Sequence, residues 1–490
     1  MTKYKSDQPN LSGTNLYQTE RMAQFVHSVN ANVISPDIME QLKRHLLDAI
    51  GSLIQAQHSP AVLKLVSQIR ALESGGNCQT PLLGNLPVDR AAQWYTALIR
   101  YPDFMDNFIG KEATCHPSDN IGPLLASSQS LGLTGKDFLL SMAIAYTIEC
   151  QLVEKLPVMI KGFDHTVLYA YSVTAALCKL YKLSVMQTAH ALGMAGTSFV
   201  PLVTSRASYT YEWKGLASSM VALGCMNIVL LARENMTGPI SVFEGPKGIA
   251  QIMDMKLEHD WSVNDINIIR KCILKSFNAE VHTQSSLEAA LEIRQEYNPD
   301  CAEIESIDIT TFLTAYHIVG GGVYGDREFV HSKEQADHSL PYVLAVILLD
   351  GEVYPDQFQE ERINQPDVQE LLRKVHVDTV SPMHKPLPFA GFLDPYTDAY
   401  PEKLKTKLVI KMKNGDKITK EKDDYHGFYT RPFDWEDTIG KFKKLTVGLI
   451  SDQTTEEIIE IIKNFESHRV LELTEILEAE PVNHAYSFNN

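Results

Sequence analysis

Residues 215–232 read GLASSMVALGCMNIVLLA, a run of helix length without a formal charge, and residues 183–205 form a second such run when His190 is counted as neutral. Length alone would permit either run to cross a membrane. The run at 215–232 contains Gly224 and several polar residues, and the other contains His190 and Pro201. Small and polar residues let helices pack closely inside a protein, so we predict two buried core segments and no membrane span.

Helix-length apolar patterns extend outward from these runs, from about residue 16 to residue 273, with Gly and Pro between them. One pattern begins at Pro36, a residue that suits the first helical position, with Ser35 as its N-cap. This half of the chain is therefore predicted to be nearly all α. The predicted helices cover about 36–54, 89–102, 120–132, 136–155, 166–182, 185–196 and 214–233.

The pattern changes after Lys275. Residues 304–312 and 404–420 alternate apolar and polar side chains, which is typical of strands, and Asn414–Gly415 inside the second run is a strong hairpin signal. Helical patterns separate these strands at 284–296, 336–350 and 366–375. From Trp435 onward the pattern is helical again, so this tail is expected to pack back on the first half.

These observations predict a mostly α protein with two domains. The larger, all-helical domain comprises residues 1–273 and 433–490, and a smaller α+β domain comprises residues 274–432. A length of 490 residues agrees with one to three domains.

The chain carries 44 Lys and Arg against 61 Asp and Glu, a formal net charge of −17. This charge repels nucleic acid and anionic lipid, so neither is expected as a partner. A negatively charged substrate would need a local cationic pocket.

Seven cysteines are spread over the sequence without a C-x-x-C pair. This spacing supports neither a disulfide framework nor a zinc ribbon, and it argues against an iron–sulfur cluster, so no metal or cofactor is predicted. Residues 1–15 are polar and lack the apolar segment of a signal peptide, which favours a cytoplasmic location.

The densest polar segment, residues 100–120, holds Asp103, Asp106 and His116. A histidine beside a helix start suits an anionic ligand. The alternative is that the two aspartates are cap or turn residues, with Ser118 or Asp119 capping the helix that follows.

Two further polar segments adjoin the uncharged runs. Asp164 and His165 precede an apolar helix and are either its cap or part of a site. Lys214 opens a buried helix after Arg206, and a buried ammonium is costly without a partner. Lys214 is therefore expected to pair with a carboxylate, with Glu212 as one candidate, or to meet a ligand anion.

The boundary between the predicted domains carries residues 275–285, KSFNAEVHTQS, and clefts between domains are favoured ligand sites. Asp337 and His338 open another apolar helix, and the segment has two interpretations: a helix-capping Asp337 or a part in catalysis. The sequence has no Walker loop, no G-x-G-x-x-G after a strand, no H-E-x-x-H and no G-x-S-x-G, which argues against nucleotide-dependent and metalloprotease chemistry.

In chain order, the segments DFMDN, HPSDNIG, GFDHT, EWKG, KSFNAEVHTQS and ADHSLPY resemble the MmgE/PrpD family, from about residue 20 to residue 470. The family includes 2-methylcitrate dehydratases, cis-aconitate decarboxylases and iminodisuccinate epimerases. The resemblance implies a large helical domain with an inserted α+β lid, usually in a homodimer.

Residue by residue, the resemblance predicts a set of catalytic side chains: Asp103, His116, His165, Lys214 and Lys275. It also predicts substrate contacts for Asn107 and for Tyr324, a lid tyrosine, and we add Arg206 to these. Two departures, Met105 for a frequent Asn or Asp and Asn107 for Thr, bear on the substrate more than on the fold.

The segments HPSDNIG, GFDH and AEVHTQS are closer to the 2-methylcitrate dehydratases than to the decarboxylases. The resemblance therefore implies a lyase of propionate catabolism that dehydrates 2-methylcitrate to 2-methyl-cis-aconitate, a di- or tricarboxylate reaction that needs no iron–sulfur cluster. The two lysines would bind substrate carboxylates, and Asp103 and the histidines would transfer protons. The alternatives are cis-aconitate decarboxylation, epimerisation of a related acid, and a catalytically silent helical ligand-binding protein.

Overall fold

The computed structural model describes residues 16–72, 75–207, 209–380 and 394–479. Helices dominate these residues, so the predicted fold class, mostly α with a small α+β part, is confirmed. The α-helices are α1 (Gln18–Ser28), α2 (Pro36–Ala56), α3 (Pro60–Leu72), α4 (Val88–Arg100), α5 (Ile121–Leu131), α6 (Gly135–Lys155), α7 (Thr166–Leu180), α8 (Val185–Ser198), α9 (Trp213–Arg233), α10 (Ile249–Met253), α11 (Gln284–Tyr297), α12 (Leu313–Val319), α13 (Lys333–Ala336), α14 (Leu340–Asp350), α15 (Glu360–Ile363), α16 (Pro366–Leu372), α17 (Pro395–Asp398), α18 (Trp435–Thr446), α19 (Asp452–Lys463) and α20 (Val470–Ala479). The seven helices predicted in the first half are all present.

Helix α9 contains the uncharged run 215–232 and packs against α4, α7 and α8. It is long and apolar enough to cross a membrane, but most of its apolar window is buried inside the protein. Gly215 lets α9 approach Tyr101 closely, because a Cβ at this position would lie 2.8 Å from the Tyr101 ring. The run is thus a core helix, as its small residues predict.

The strands are β1 (Cys78–Thr80), β2 (Gly84–Leu86), β3 (Phe108–Ile109), β4 (Thr114–Cys115), β5 (Ile304–Thr311), β6 (Val375–Thr379), β7 (Thr406–Met412) and β8 (Lys417–Lys422). The first four form two small antiparallel pairs, and the others form a sheet in the order β6-β5-β7-β8. Strand β5 runs parallel to β6 and antiparallel to β7. The predicted hairpin joins β7 to β8, and Gly415 in its turn has φ +92°.

Two hydrophobic clusters fill the interior. One draws its residues from 22–272 and 442–477, and the other from Ile109 and 273–428. Helices α18 and α19 pack on α2, and α20 packs on α5, so the C-terminal tail returns to the first half as predicted. The exact domain boundaries stay a prediction.

Three local predictions are wrong. The helix predicted at 366–375 ends at Leu372, and its last residue starts β6. The helix predicted at 336–350 is two helices, α13 and α14, because the intervening residues bend the chain. The side chains of Ser118 and Asp119 do not cap α5, because both lie in a short 3-10 turn at 117–120.

Candidate active site

The site is built around Asp103, which lies just after the last residue of α4. Its backbone has φ +59°, a left-handed conformation that residues other than glycine seldom adopt, although aspartate does so more readily than most. Arg100 accepts a backbone hydrogen bond from Asp103, and its Nη1 lies 3.1 Å from Asp103 Oδ1. The chain thus turns sharply and directs a buried carboxylate into the interior.

Two predicted lysines meet this carboxylate, one on each oxygen. Lys275 Nζ lies 3.1 Å from Oδ1, and Lys214 Nζ lies 3.1 Å from Oδ2. Lys214 is the second residue of α9, and Lys275 is brought near by the bridge between Asn107 and Ile273. Three predicted catalytic residues are therefore in direct contact.

Lys214 also joins the segment between α13 and α14 to the site. Its Nζ lies 2.9 Å from Asp337 Oδ1 and 2.9 Å from His338 Nδ1. The suggestion that Glu212 pairs with Lys214 is wrong, since the Glu212 carboxylate contacts Lys64 at the surface.

Asp337 pairs with lysines and does not cap α14. Ser339 is the N-cap, and its hydroxyl accepts a hydrogen bond from the Tyr342 N–H. The second oxygen of Asp337 contacts Lys333 Nζ at 2.8 Å. We call Arg100, Asp103, Lys214, Lys275, Lys333, Asp337 and His338 the charged cluster.

The neighbouring charges in this cluster shift the pKa values of its members. Burial alone would raise the pKa of the Asp103 carboxyl, but Lys275, Arg100 and Lys214 outweigh burial and hold that pKa well below its usual range. Burial lowers the pKa of Lys214, and it lowers the pKa of His338 with help from the nearby Lys214 charge. Asp103 is accordingly a permanent anion between cations, and His338 is neutral at pH 7.

The donor set also bears on metal binding. Asp103, Asp337 and His338 offer ligand atoms within 4.8 Å of one another. Lys214 Nζ lies within 3.1 Å of one such atom from each of the three. An ammonium therefore occupies the position that a divalent cation would take, so these residues do not fit a metal while Lys214 is charged.

His116 and His165 face each other beside the cluster, with ring centroids 5.1 Å apart. His165 is the N-cap residue of α7 and is buried, yet neither of its ring nitrogens has a hydrogen-bond partner among the described residues. Burial lowers the pKa of His165 to about 3 and that of His116 well below its usual range. Both imidazoles are neutral near pH 7.

The contacts of His116 indicate which of its nitrogens is protonated. Its Nδ1 lies 3.1 Å from the Asp106 carbonyl oxygen, which can only accept, so Nδ1 carries the proton and Nε2 has a free lone pair. Asn107 Nδ2 lies 3.1 Å from the same nitrogen, and because two N–H groups cannot donate to each other, we assign the flipped amide orientation, in which Asn107 Oδ1 accepts from the His116 N–H. That assignment also gives a partner to Asn107 Oδ1, which otherwise lacks one in the described chain.

The predicted contacts Arg206 and Tyr324 lie near Asp164, the residue before His165. Arg206 is buried and forms a close ion pair with Asp164, whose Oδ1 also accepts a hydrogen bond from the Thr166 N–H at the start of α7. Tyr324 is half-buried, and burial together with the Asp164 charge raises its pKa. Arg206 thus has a protein partner before any ligand binds.

The departures Met105 and Asn107 lie in different surroundings. Met105 is fully buried in the larger hydrophobic cluster, whereas Asn107 contacts His116. Between them, Asp106 accepts hydrogen bonds from the Tyr146 hydroxyl and the Ser118 N–H.

Sequence reasoning missed several residues that shape the site. His45 Nδ1 lies 2.7 Å from Asp106 Oδ2, across 61 residues of sequence, and Lys333 was not singled out. Such long-range pairs have no local signal. A solvent-facing cavity of about 300 Å³ has Tyr209, Arg327 and Gln335 in its wall.

Comparison with known proteins identifies the family. The MmgE/PrpD N-terminal domain matches residues 20–261, and the MmgE/PrpD C-terminal domain matches residues 277–467. The chain belongs to the MmgE/PrpD family. The match agrees with the resemblance carried by the polar segments.

Relatives of this MmgE/PrpD protein include enzymes named as cis-aconitate decarboxylases and enzymes named as 2-methylcitrate dehydratases. The chain is 24% identical over 466 residues to a cis-aconitate decarboxylase of Mus musculus, covering 91% of this chain and 90% of the relative. It is 28% identical over 299 residues to a mitochondrial 2-methylcitrate dehydratase of Yarrowia lipolytica, covering 57% and 56%. It is 25% identical over 351 residues to the 2-methylcitrate dehydratase of Escherichia coli K12, covering 68% and 71%. The family therefore points to a dehydratase or a decarboxylase, without selecting between them.

Proposed function

We propose that the protein is a lyase that acts on a small di- or tricarboxylate through the charged cluster, with dehydration of 2-methylcitrate to 2-methyl-cis-aconitate as its reaction. The observation that carries this proposal is the pair of lysines on one carboxylate, since Lys214 and Lys275 each contact Asp103. The neutral imidazoles of His116 and His165 lie nearby, and the ring nitrogens of His165 have no hydrogen-bond partner among the described residues. Cations that bind carboxylates and bases that accept protons are the groups that such a reaction needs.

Substrate binding would use the lysines. Both ammonium groups are buried, and each contacts one oxygen of the Asp103 carboxylate. A substrate carboxylate that approaches them gains charge-assisted hydrogen bonds from buried donors. The same cations stabilise the negative charge that develops when the carbon next to that carboxylate loses its proton.

Proton removal would use His116 Nε2, because Nδ1 is protonated and directed at the Asp106 carbonyl. His165 is the candidate proton donor to the departing hydroxyl group. Its pKa is low in the free protein, but a bound tricarboxylate brings negative charge close to the ring and raises that pKa. The carbon–hydrogen and carbon–oxygen bonds break, and the products are the alkene and water.

A second candidate is cis-aconitate decarboxylation. It is favoured by the alignments to the decarboxylases, which cover about nine-tenths of both chains, whereas those to the dehydratases are shorter. Decarboxylation would use the same lysines to hold carboxylates and a histidine to protonate the carbon that loses carbon dioxide. A cytoplasmic location and a homodimer are further proposals, which rest on the family resemblance.

The two reactions differ in product, which gives the test. Purified protein is incubated separately with 2-methylcitrate, citrate, cis-aconitate and iminodisuccinate, while ultraviolet absorbance and released carbon dioxide are measured. Dehydration predicts rising absorbance of a conjugated alkene acid from 2-methylcitrate and no carbon dioxide. Carbon dioxide from cis-aconitate, without hydration or dehydration, would assign the decarboxylase activity, and inertness toward all four acids would favour a silent ligand-binding protein.

A further inference from the structure

Four consecutive carbonyl groups around Asp103 accept hydrogen bonds from side chains that are distant in sequence. We call residues 101–104 the Asp103 loop. Its carbonyl oxygens at Tyr101, Pro102, Asp103 and Phe104 receive Lys333 Nζ at 2.9 Å, Asn278 Nδ2 at 2.7 Å, Lys275 Nζ at 2.8 Å and Lys441 Nζ at 2.7 Å.

Lys441 is unusual among these donors because it comes from the C-terminal helix α18. Its side chain is buried, its Nζ lies 2.7 Å from Asp48 Oδ1, and it sits 3.8 Å from the centre of the Phe104 ring. A buried ammonium is unfavourable unless a nearby opposite charge and well-placed hydrogen-bond acceptors offset the loss of water. For Lys441, the Asp48 carboxylate is that opposite charge and the Phe104 carbonyl oxygen is an acceptor.

Asn278 is the matching anchor on the other side of Asp103. It is buried, and its own N–H donates to the Val353 carbonyl at 2.9 Å, so the donor is fixed in place. The carbonyls before and after Asp103, at Pro102 and Phe104, are thus both held by side chains that do not touch the Asp103 carboxylate in the described structure.

We propose that Lys441 and Asn278 are positioning residues, which hold the Asp103 backbone in its left-handed conformation and so keep its carboxylate between Lys214 and Lys275. A residue in a sparsely populated backbone region persists only when its surroundings over-determine it. Both flanking carbonyls must be held in place for the Asp103 carboxylate to keep its contacts with Lys214 and Lys275. This proposal deepens the proposed function, on which it rests for the catalytic importance of Asp103.

The test compares Lys441→Met and Asn278→Ala with a matched control, Lys43→Met. Lys43 is also a buried lysine that donates to a backbone carbonyl, that of Lys463 at 2.8 Å, and pairs with Glu40 and Glu466. It ties α2 to the C-terminal helices without contacting the Asp103 loop among the described residues. Loss of stability by itself should therefore be similar in the two lysine variants.

We expect Lys441→Met and Asn278→Ala to lower kcat by about 100-fold, the scale of a misplacement of about 1 Å, at temperatures where circular dichroism shows them folded. KM should change much less, because Lys214 and Lys275 remain to bind substrate carboxylates. Lys43→Met should keep kcat within about twofold of the wild type.

Three outcomes separate the possible failures. An inactive wild type would refute the proposed function, whereas an active wild type with unchanged kcat in Lys441→Met and Asn278→Ala would refute the positioning role alone. An equal loss of kcat in Lys43→Met would reduce the effect to stability and also refute it. If Lys441→Met does not fold because Asp48 is left unpaired, the double variant Asp48→Asn/Lys441→Met and Asn278→Ala carry the same prediction.

Discussion

The Nζ atom of Lys214 lies 3.1 Å from Oδ2 of Asp103, at the centre of a buried group in which Asp337 and His338 contact the same ammonium. One lysine therefore links three parts of the chain: the loop after α4, the start of α9 and the segment before α14. Lys214 neutralises two carboxylates, Asp103 and Asp337, whereas Lys275 contacts the Asp103 carboxylate. Replacement of Lys214 and replacement of Lys275 should therefore differ in their effect on stability.

Replacement of the two lysines should affect stability unequally. Lys214→Met removes a cation from both Asp103 and Asp337, so the free energy of unfolding should fall by about 3–5 kcal/mol. Lys275→Met leaves Asp103 with Lys214 and Arg100, and the fall should be smaller. Both variants should lose about 100-fold or more in turnover.

Denaturant titration and steady-state kinetics measure these effects. Lys64→Met is a suitable control, because Lys64 is a mostly exposed lysine paired with Glu212 at the surface, and it should alter neither quantity appreciably. Wild-type turnover in Lys275→Met would contradict a role in catalysis.

The proposed base, His116, should determine the acid side of the pH–rate profile. A base must be neutral to accept a proton, and burial holds the pKa of His116 well below its usual range. The acid limb of kcat/KM should therefore lie below pH 6.5, the ordinary histidine value, once the separately measured titration of the substrate is taken into account. A limb centred at or above pH 6.5 would be inconsistent with His116 as the base.

Stability should decline as the pH is lowered. The pKa of His165 is 6.5 in an unfolded chain and about 3 in the folded protein, so between these values the unfolded state binds a proton that the folded state does not. The free energy of unfolding should therefore fall as the pH decreases from 6.5 toward 3. His165→Gln should reduce this slope in denaturant titrations, and His27→Gln, an exposed control on α1, should not. An unchanged slope in His165→Gln would show that this imidazole is not buried and neutral.

Metal removal should leave the reaction intact. Lys214 occupies the position among Asp103, Asp337 and His338 where a cation would bind. Dialysis against a strong chelator should not change turnover. Loss of activity that iron or zinc restores would require a different arrangement of these residues.

The seven helices predicted between residues 36 and 233 were predictable because each has its own local signal. Pro36, for example, begins α2, and periodic apolar residues continue from there. The pairs β1–β2 and β3–β4 were not predictable, because strands of two or three residues are too short for an alternating pattern. Strand β6 was hidden by the helical pattern that ends just before it.

The site was predictable in its residue types but not in its connections. The resemblance selected Asp103, Lys214 and Lys275, which the fold brings together. It did not select Lys441 or His45, because their partners lie hundreds or tens of residues away and only the packed helices bring them near. Asp337 was expected to cap a helix because it precedes an apolar helix, but the N-cap of α14 is Ser339, two residues later.

Calorimetric binding combined with turnover tests the central claim most directly. The account predicts that wild-type protein binds and converts a tricarboxylate, that His116→Gln and His165→Gln bind it with near wild-type affinity but do not convert it, and that Lys275→Met loses both binding and conversion. Conversion at the wild-type rate by either histidine variant, or absence of binding by the wild type to every acid tested, would contradict it.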